Sequence, residues 1–593
     1  MSDTTRSAVN SSYKFDLSHI FAEPDDWDRS YRSLADTIDS ITAFEEPIES
    51  IDALESLIEL VLESFATGGR LELYAALRQK ITDDPAATER LERYRSIEGD
   101  LEFALSHVDQ LLQASCPELF DRFAEHRPAL ASYVQNLRAQ ASHRRSRAEE
   151  ELLSSVDSAC TAPNRIIRSI KNDAFESPTI TDPDGETHRL DYSGYFTAMN
   201  STDRIFRRRC YETYFGALEP HSGPLYQAYA EKIRTLSSLA AVRHYDSLCE
   251  AQLRKRCFPE NGTRQLLDPA VHATLVESIQ EHLEPYHRWQ ALRAERLGVD
   301  TLRPWDLRAP LIATEPPTIP YETAIEHVIA SLAPLGKSYQ EQARRFFEDD
   351  RADVKPHAGR NNAIGYCHSS IADGPFVLCN YADTFRSMVT IAHELGHALA
   401  IEQIRDRPLQ ETAAPRAVEE IPSVTHELLL YRYCIDQGGL LGEYGAVHRA
   451  DSIGGLLFDQ ARYAAFVRTL VDRVESDRQL TRAFADDRYL ELHTAFSPTV
   501  EFVEESRLEW LNRNIQRDPF HHYQYVLGAV GGLVVADRVR SGSWSNNEYR
   551  QLLIDMGRHS ATELFESIGL DITTPAPYQT AVDAFEPFVA KLA

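Results

Sequence analysis

Apolar residues recur three and four positions apart along most of the chain, the spacing that buries one face of an α-helix. Residues 51–67, IDALESLIELVLESFAT, carry this pattern, and the first 110 or so residues read as amphipathic helices separated by short breaks. A long helical run is expected over residues 130–156, which include HRRSRAEEELLSS. The period changes at SPTITDPDGETHRLDYSGY, where Pro183-Asp184-Gly185 supplies turn chemistry between two β-prone runs and predicts a small hairpin. Helical spacing then resumes to about residue 295. Proline-rich punctuation at 303–321 predicts an extended crossing segment, and another helical stretch is expected over 322–348. The runs NNAIGYCHSS and GPFVLCN flank Ala372-Asp373-Gly374 and predict a second hairpin. No internal repeat or low-complexity linker interrupts the pattern. The expected fold is mainly α, with a few short strands near residue 370.

Composition narrows the partners. With 593 residues, 43% of them hydrophobic, the chain can bury a large core in more than one lobe. The net charge of −29, from 62 basic and 91 acidic residues, repels nucleic acid and anionic lipid and argues against both as partners. The richest basic run, RIFRRRC at 204–210, reads as structural. Such an acidic surface could favour cationic peptides, but a solvated face is the simpler reading. Lysine is scarce beside arginine, which suggests adaptation to a salt-rich cytoplasm where screening tolerates self-repulsion. No apolar run is long enough to span a bilayer, and the N-terminus lacks a secretion signal, so a cytoplasmic location is expected. The eight cysteines form no C-x-x-C pair and are expected to be free thiols. Cys367 and Cys379 precede the key motif, and core packing is the favoured reading for both.

The candidate chemistry lies in TFRSMVTIAHELGHALAIEQI. On a helix His393 and His397, four apart, stand one turn above each other on one face, so two imidazoles can reach one zinc ion. Glu394 follows the first histidine and is positioned to approach a zinc-bound water as general base rather than the metal itself. A catalytic zinc needs a third protein ligand and one open position. Ala400 excludes a histidine three residues beyond the motif. In RAVEEIPSVTHELLLYRY, Glu420 and Glu427 share a helix side almost two turns apart, so Glu420 could ligate while Glu427 holds a ligating imidazole by its other nitrogen. By spacing alone Glu419 and His426 compete for the ligand position.

HELGH followed by Glu-Ile-Pro-Ser resembles the oligoendopeptidase F family, within the wider thimet-oligopeptidase-like zinc metallopeptidases. HRRSRAEEELLSS, the KNDAF and DPDGETHRL segments, STDRIFRRRCYETY and GRNNAIGYCHSS with FVLCN extend the resemblance over most of the chain in the same order. The resemblance implies one zinc per chain, with Glu420 as third ligand and Glu427 behind the histidines. It implies a two-lobed, multi-helix peptidase with a deep substrate channel: an N-terminal helical region over 1–115, a family-type helical domain with a hairpin over 116–195, and a catalytic domain over 196–593. In PFHHYQYVLGAVGG, Tyr523, Gln524 and Tyr525 match a family Tyr-Gln-Tyr core that contacts substrate and oxyanion. This chain departs from the family at His521, where a tyrosine is usual, and at Ile515, near a usual histidine. His521 or His522 could substitute as a neutral hydrogen-bond donor. The expected activity is hydrolysis of internal bonds in short unstructured oligopeptides, with an extended substrate lying along a sheet edge around residues 376–379. The alternatives are a dipeptidyl-carboxypeptidase-type exopeptidase and a metal- or peptide-binding protein without turnover. An intact Glu394 speaks against the latter, because binding a metal needs no general base.

Overall fold

The computed structural model describes all residues except 1–4, 46, 82–83, 116, 128–142, 144, 255–266, 313–315, 358–359, 361–364, 371, 406, 408–413, 514, 516 and 593. It is built mainly of helices, as the periodicity predicts. At the N-terminus, α1 (Pro24–Thr42), α2 (Ile51–Ile81) and α3 (Pro85–Ala114) pack on one another. The helix expected over 51–67 continues through Gly68 and Gly69. Its buried face persists at Leu71 and Leu77, and Gly68 is itself buried beside Leu34 and Tyr94. Most of the run expected as helix over 130–156 lies outside the described residues, and helix is present over Arg147–Cys160.

The first hairpin forms as predicted: β1 (Thr179–Thr181) pairs antiparallel with β2 (Thr187–Arg189). The Asp182 carboxylate accepts from the Asp184 and Glu186 N–H groups, and Gly185 takes the left-handed turn position. The long helix α4 (Arg204–Val242) follows. Arg204 and Arg207 in its first turn grip Asp306, a fully buried carboxylate in the proline-rich segment, at 2.7 and 3.0 Å. The basic run thus clamps a crossing segment onto a helix. The stretch 322–348 is two helices, Tyr321–Ser331 and Lys337–Glu348, because Pro334 and a left-handed Gly336 break it.

Three strands form the sheet beside the motif. Two-residue β3 (Ala352–Asp353) runs parallel to β5 (Gly374–Cys379), which pairs antiparallel with β4 (Gly365–Ser370). β5 is therefore the central strand, and the edge expected around residues 376–379 is instead β4. The reason lies in its side chains: all six residues of β5 are buried, and they alternate between two cores. Phe376 and Leu378 join the core of the N-terminal helices, with Trp27, Leu57 and Leu105. Val377 and Cys379 join the larger core of the rest of the chain. Among the described residues, Cys160, Cys210, Cys249, Cys367, Cys379 and Cys434 are free thiols, and no helix is long and apolar enough to cross a membrane.

Candidate active site

The HELGH motif sits in α5 (Phe385–Ile404), whose N-cap Thr384 accepts from the Ser387 N–H. EIPS opens α6 (Glu420–Gln437), with Pro422 in the first turn, where its missing N–H is harmless. The two helices cross at Gly396. A Cβ there would lie 2.6–2.8 Å from the Ser423 Cα, the Ser423 N and the Pro422 carbonyl, so only glycine allows this approach. The crossing brings three donor atoms together. His393 Nε2 and His397 Nε2 are 3.2 Å apart, and Glu420 Oε2 lies 3.5 and 3.6 Å from them. Ligands about 2.0–2.1 Å from one tetrahedral ion stand roughly 3.3–3.4 Å apart, so these three side chains fit the face of a zinc site.

The surrounding groups fix each of these side chains. His393 Nδ1 donates to Glu427 Oε1 at 2.7 Å, which turns its Nε2 lone pair toward the other donors. Glu427 is buried, which by itself raises its pKa, but hydrogen bonds from His393, Ser452 and Tyr431 outweigh burial and hold the carboxyl below its usual range. The His397 ring bonds the Glu419 backbone carbonyl, so Glu419 contributes its main chain to the site. Ser423 Oγ donates to Glu420 Oε2 at 3.0 Å. His426, the other competitor, is fully buried and bonded to the Tyr339 hydroxyl at 3.0 Å.

Glu394 is 7% exposed and lies between α5 and the edge strand β4. The Cys367 N–H donates to its carboxylate, and a Cβ on Gly365 would stand 3.2 Å from its Oε1. Burial pushes its pKa up to about 7, toward the range of a general base. A cavity of about 510 Å³ opens beside it, walled by His393, Glu394 and Glu427 on one side and by Tyr195, Tyr211 and Trp289 on the other.

The tyrosine segment begins α7 (Tyr523–Ser541), which packs along α6. A Cβ on Gly528 would fall on Glu420 Cβ, and Gly531 and Gly532 abut Ile421 and Val424. Tyr525, one turn before Gly528, is half-buried and within electrostatic reach of Glu420. Tyr523 is buried in the core, its ring 6.3 Å from that of His272. His522 is buried and bonded to Gln460 Oε1 at 2.7 Å, and Ile515 lies in the core. His521 stands beside Tyr525, 3.3 Å from Nε2 to the hydroxyl; burial and then the nearby Arg517 depress its pKa to about 3, so it is neutral. Sequence reasoning missed Ser423, Tyr431, Ser452 and Arg517. The first two are one turn from Glu420 and Glu427 and could be found by helical spacing; the other two join the site through tertiary packing.

The chain is similar to known proteins over most of its length. The family model described as "Peptidase family M3" matches residues 197–583. Group B oligopeptidase PepB of Streptococcus agalactiae is 24% identical, over 100% of this chain and 98% of its own length. Oligopeptidase PepF of Bacillus subtilis is 22% identical over 98% of this chain and 87% of its own. Among solved structures, oligoendopeptidase-F from Enterococcus faecium superposes with a TM-score of 0.74 at 20% identity, covering 96% of this chain and 98% of that one. The last likeness establishes the fold.

Proposed function

We infer from its site that the chain, which belongs to peptidase family M3 and is a metallopeptidase, is a zinc-dependent endopeptidase. It hydrolyses internal bonds of short unstructured oligopeptides. His393, His397 and Glu420 would hold one zinc ion, and the observation carrying this is their donor triangle of 3.2–3.6 Å. When bound, zinc supplies Lewis-acid polarisation of the scissile carbonyl and makes water acidic enough to yield its proton near neutral pH.

The chain's own groups do the rest. Glu394 takes the proton of the attacking water and delivers it to the leaving amine. Its burial and the Cys367 N–H hold it in place for both transfers. Glu427 keeps His393 in the tautomer that presents Nε2. Tyr525 donates its hydroxyl proton to the oxygen of the scissile carbonyl as charge develops there. Because the Cys367 N–H turns toward Glu394 rather than β5, the alternation of an antiparallel ladder makes Gly365, Cys367 and Ser369 the residues facing the open edge of β4. An extended peptide pairing there would run past the general base. The cavity of about 510 Å³ beside Glu394 admits a flexible chain and excludes a folded domain.

The test is Glu394→Gln, assayed for metal content and for cleavage of an unstructured oligopeptide, with products identified by mass. Zinc retained with turnover reduced about 100- to 10,000-fold is expected. Near-normal turnover would remove Glu394 from the mechanism, and products trimmed only from the C-terminus would replace endopeptidase by exopeptidase.

A further inference from the structure

The turn before α7 carries a guanidinium that neither the donor triangle nor the general base accounts for. Arg517 Nη1 donates to the Tyr525 hydroxyl at 2.6 Å and also meets His521 Nε2. Its guanidinium carbon is 5.5 Å from the centre of the Tyr525 ring. Arg517 is exposed, but its backbone is anchored from inside the protein. Lys232 of α4, only 3% exposed, donates to the Arg517 carbonyl at 2.9 Å and pairs with the Asp518 carboxylate at 3.1 Å. Phe520 then takes a left-handed φ of 62°, a strained conformation for a bulky residue, with its buried ring 4.9 Å from that of His272. Anchor and strained turn together direct Arg517 and His521 at one hydroxyl. Strain held in place by surrounding packing is a mark of functional positioning.

We propose that Arg517 is a positioning residue for the peptidase reaction, holding the Tyr525 hydroxyl so that its single proton stays available to the scissile carbonyl oxygen. This rests on the reading of Tyr525 as oxyanion donor. A phenol has one proton to give and lone pairs with which to accept, whereas a guanidinium can only donate. Arg517 therefore occupies a lone pair of Tyr525 and leaves its O–H free. The competing acceptor for that proton is His521 Nε2, 3.3 Å away. Arg517 and the Gln524 amide, at 3.2 Å, both turn toward this nitrogen, so it is engaged by other donors. A cation on the phenol oxygen also strengthens the hydroxyl as a donor. In this arrangement His521 acts through Arg517 and Tyr525 and gives no proton from Nε2 to the substrate.

The experiment uses the full-length zinc-loaded chain and a quenched fluorescent oligopeptide, comparing Arg517→Ala, Arg517→Lys, Tyr525→Phe and the Arg517→Ala/Tyr525→Phe double variant. Arg517→Ala is expected to lower kcat roughly ten- to a hundredfold with KM little changed, the loss of one charge-assisted hydrogen bond expressed in the transition state. Arg517→Lys should recover part of the rate, as should added guanidinium ion on Arg517→Ala. In the Tyr525→Phe background removal of Arg517 should have no further effect and guanidinium should not rescue. Three results would overturn the proposal: an unchanged kcat, a loss confined to KM, or a loss that multiplies in full with Tyr525→Phe. If Arg517→Ala does not fold, Arg517→Lys in both backgrounds gives the same comparison. A Tyr525→Phe variant with wild-type kcat would sink the Tyr525 reading and this inference with it, whereas an impaired Tyr525→Phe beside an unaffected Arg517→Ala sinks the inference alone.

Discussion

Substituting Gly396 by alanine adds one methyl group where α5 and α6 touch, and the effect can be worked from distances. The new Cβ would lie 2.6 Å from the Ser423 Cα, 2.7 Å from the Pro422 carbonyl oxygen and 2.8 Å from the Ser423 N. All three are backbone atoms, so no side chain can rotate away. Restoring an ordinary contact requires the helices to part by roughly 0.8 Å at the crossing. That motion carries Glu420 away from His393 and His397, whose present spacing of 3.2–3.6 Å matches one ion. Metal-ligand bonds tolerate only about ±0.2 Å, so the third ligand is lost or strained. Overpacking of this kind destabilises a core by ~1–3 kcal/mol, well short of unfolding most domains. Gly396→Ala is therefore expected to stay folded by circular dichroism while its zinc affinity, measured against a chromogenic chelator, falls by at least about tenfold. Hydrolysis should fall with metal occupancy and recover in part at high zinc. A folded Gly396→Ala protein with unchanged zinc affinity would refute the argument that backbone approach at Gly396 builds the site.

Glu427→Gln keeps an acceptor for His393 Nδ1 but removes the charge that orients the ring, so zinc affinity is expected to drop about 10- to 100-fold with the fold intact; equal affinity by competition titration would dismiss its supporting role. Asp306→Ala strands the buried Arg207 guanidinium without its carboxylate and should destabilise the protein by ~3–5 kcal/mol, seen as a clear drop in thermal midpoint. A midpoint unchanged within error would show that Asp306 does not clamp the crossing segment.

Parts of the site that obey a local period were legible in the sequence. His393 and His397 share a helix face by their spacing, and Glu420 and Glu427 do the same one helix later; spacing leaves Glu419 and His426 in competition with Glu420, and the family resemblance is what selects Glu420. Periodicity does not give strand order. GPFVLCN and NNAIGYCHSS read as equivalent strands, and only the two-residue parallel β3 makes β5 central and leaves β4 as the edge. A strand that short leaves no sequence pattern. Glu419 shows a different limit: its side chain was weighed as a ligand, whereas its backbone carbonyl is what holds His397. The Tyr-Gln-Tyr core could have been resolved further. Residues two apart on a helix point about 200° away from each other, so once α7 is known to begin at Tyr523, Tyr525 and Tyr523 must face opposite sides. Tyr525 is half-buried and within electrostatic reach of Glu420, and Tyr523 lies in the core.

What no local pattern supplies is the closeness of the elements, and at this site glycine makes it possible each time. Gly396 lets α5 meet the backbone of α6, Gly528 lets α7 lie on Glu420, and Gly365 lets β4 pass Glu394. Ordinary packing separates helix axes by 8–10 Å because side chains intervene. A triangle of donor atoms 3.2–3.6 Å on edge, with the buried Glu394 carboxylate held by β4 and the Tyr525 phenol within electrostatic reach of Glu420, draws on three helices and a strand at once. If side chains filled those crossings, the ligands would reach the same point only from longer, less rigid arms. Removing the side chain at each crossing instead places the ligands by the backbone, which is the stiffer support. The tyrosine side of the site has such support at Gly528, Gly531 and Gly532, and the Tyr525 hydroxyl lies beyond it, at the end of a long side chain. The contacts from Lys232 to the Arg517 turn, and from Arg517 to Tyr525, supply there the rigidity that helix packing supplies to the ligands.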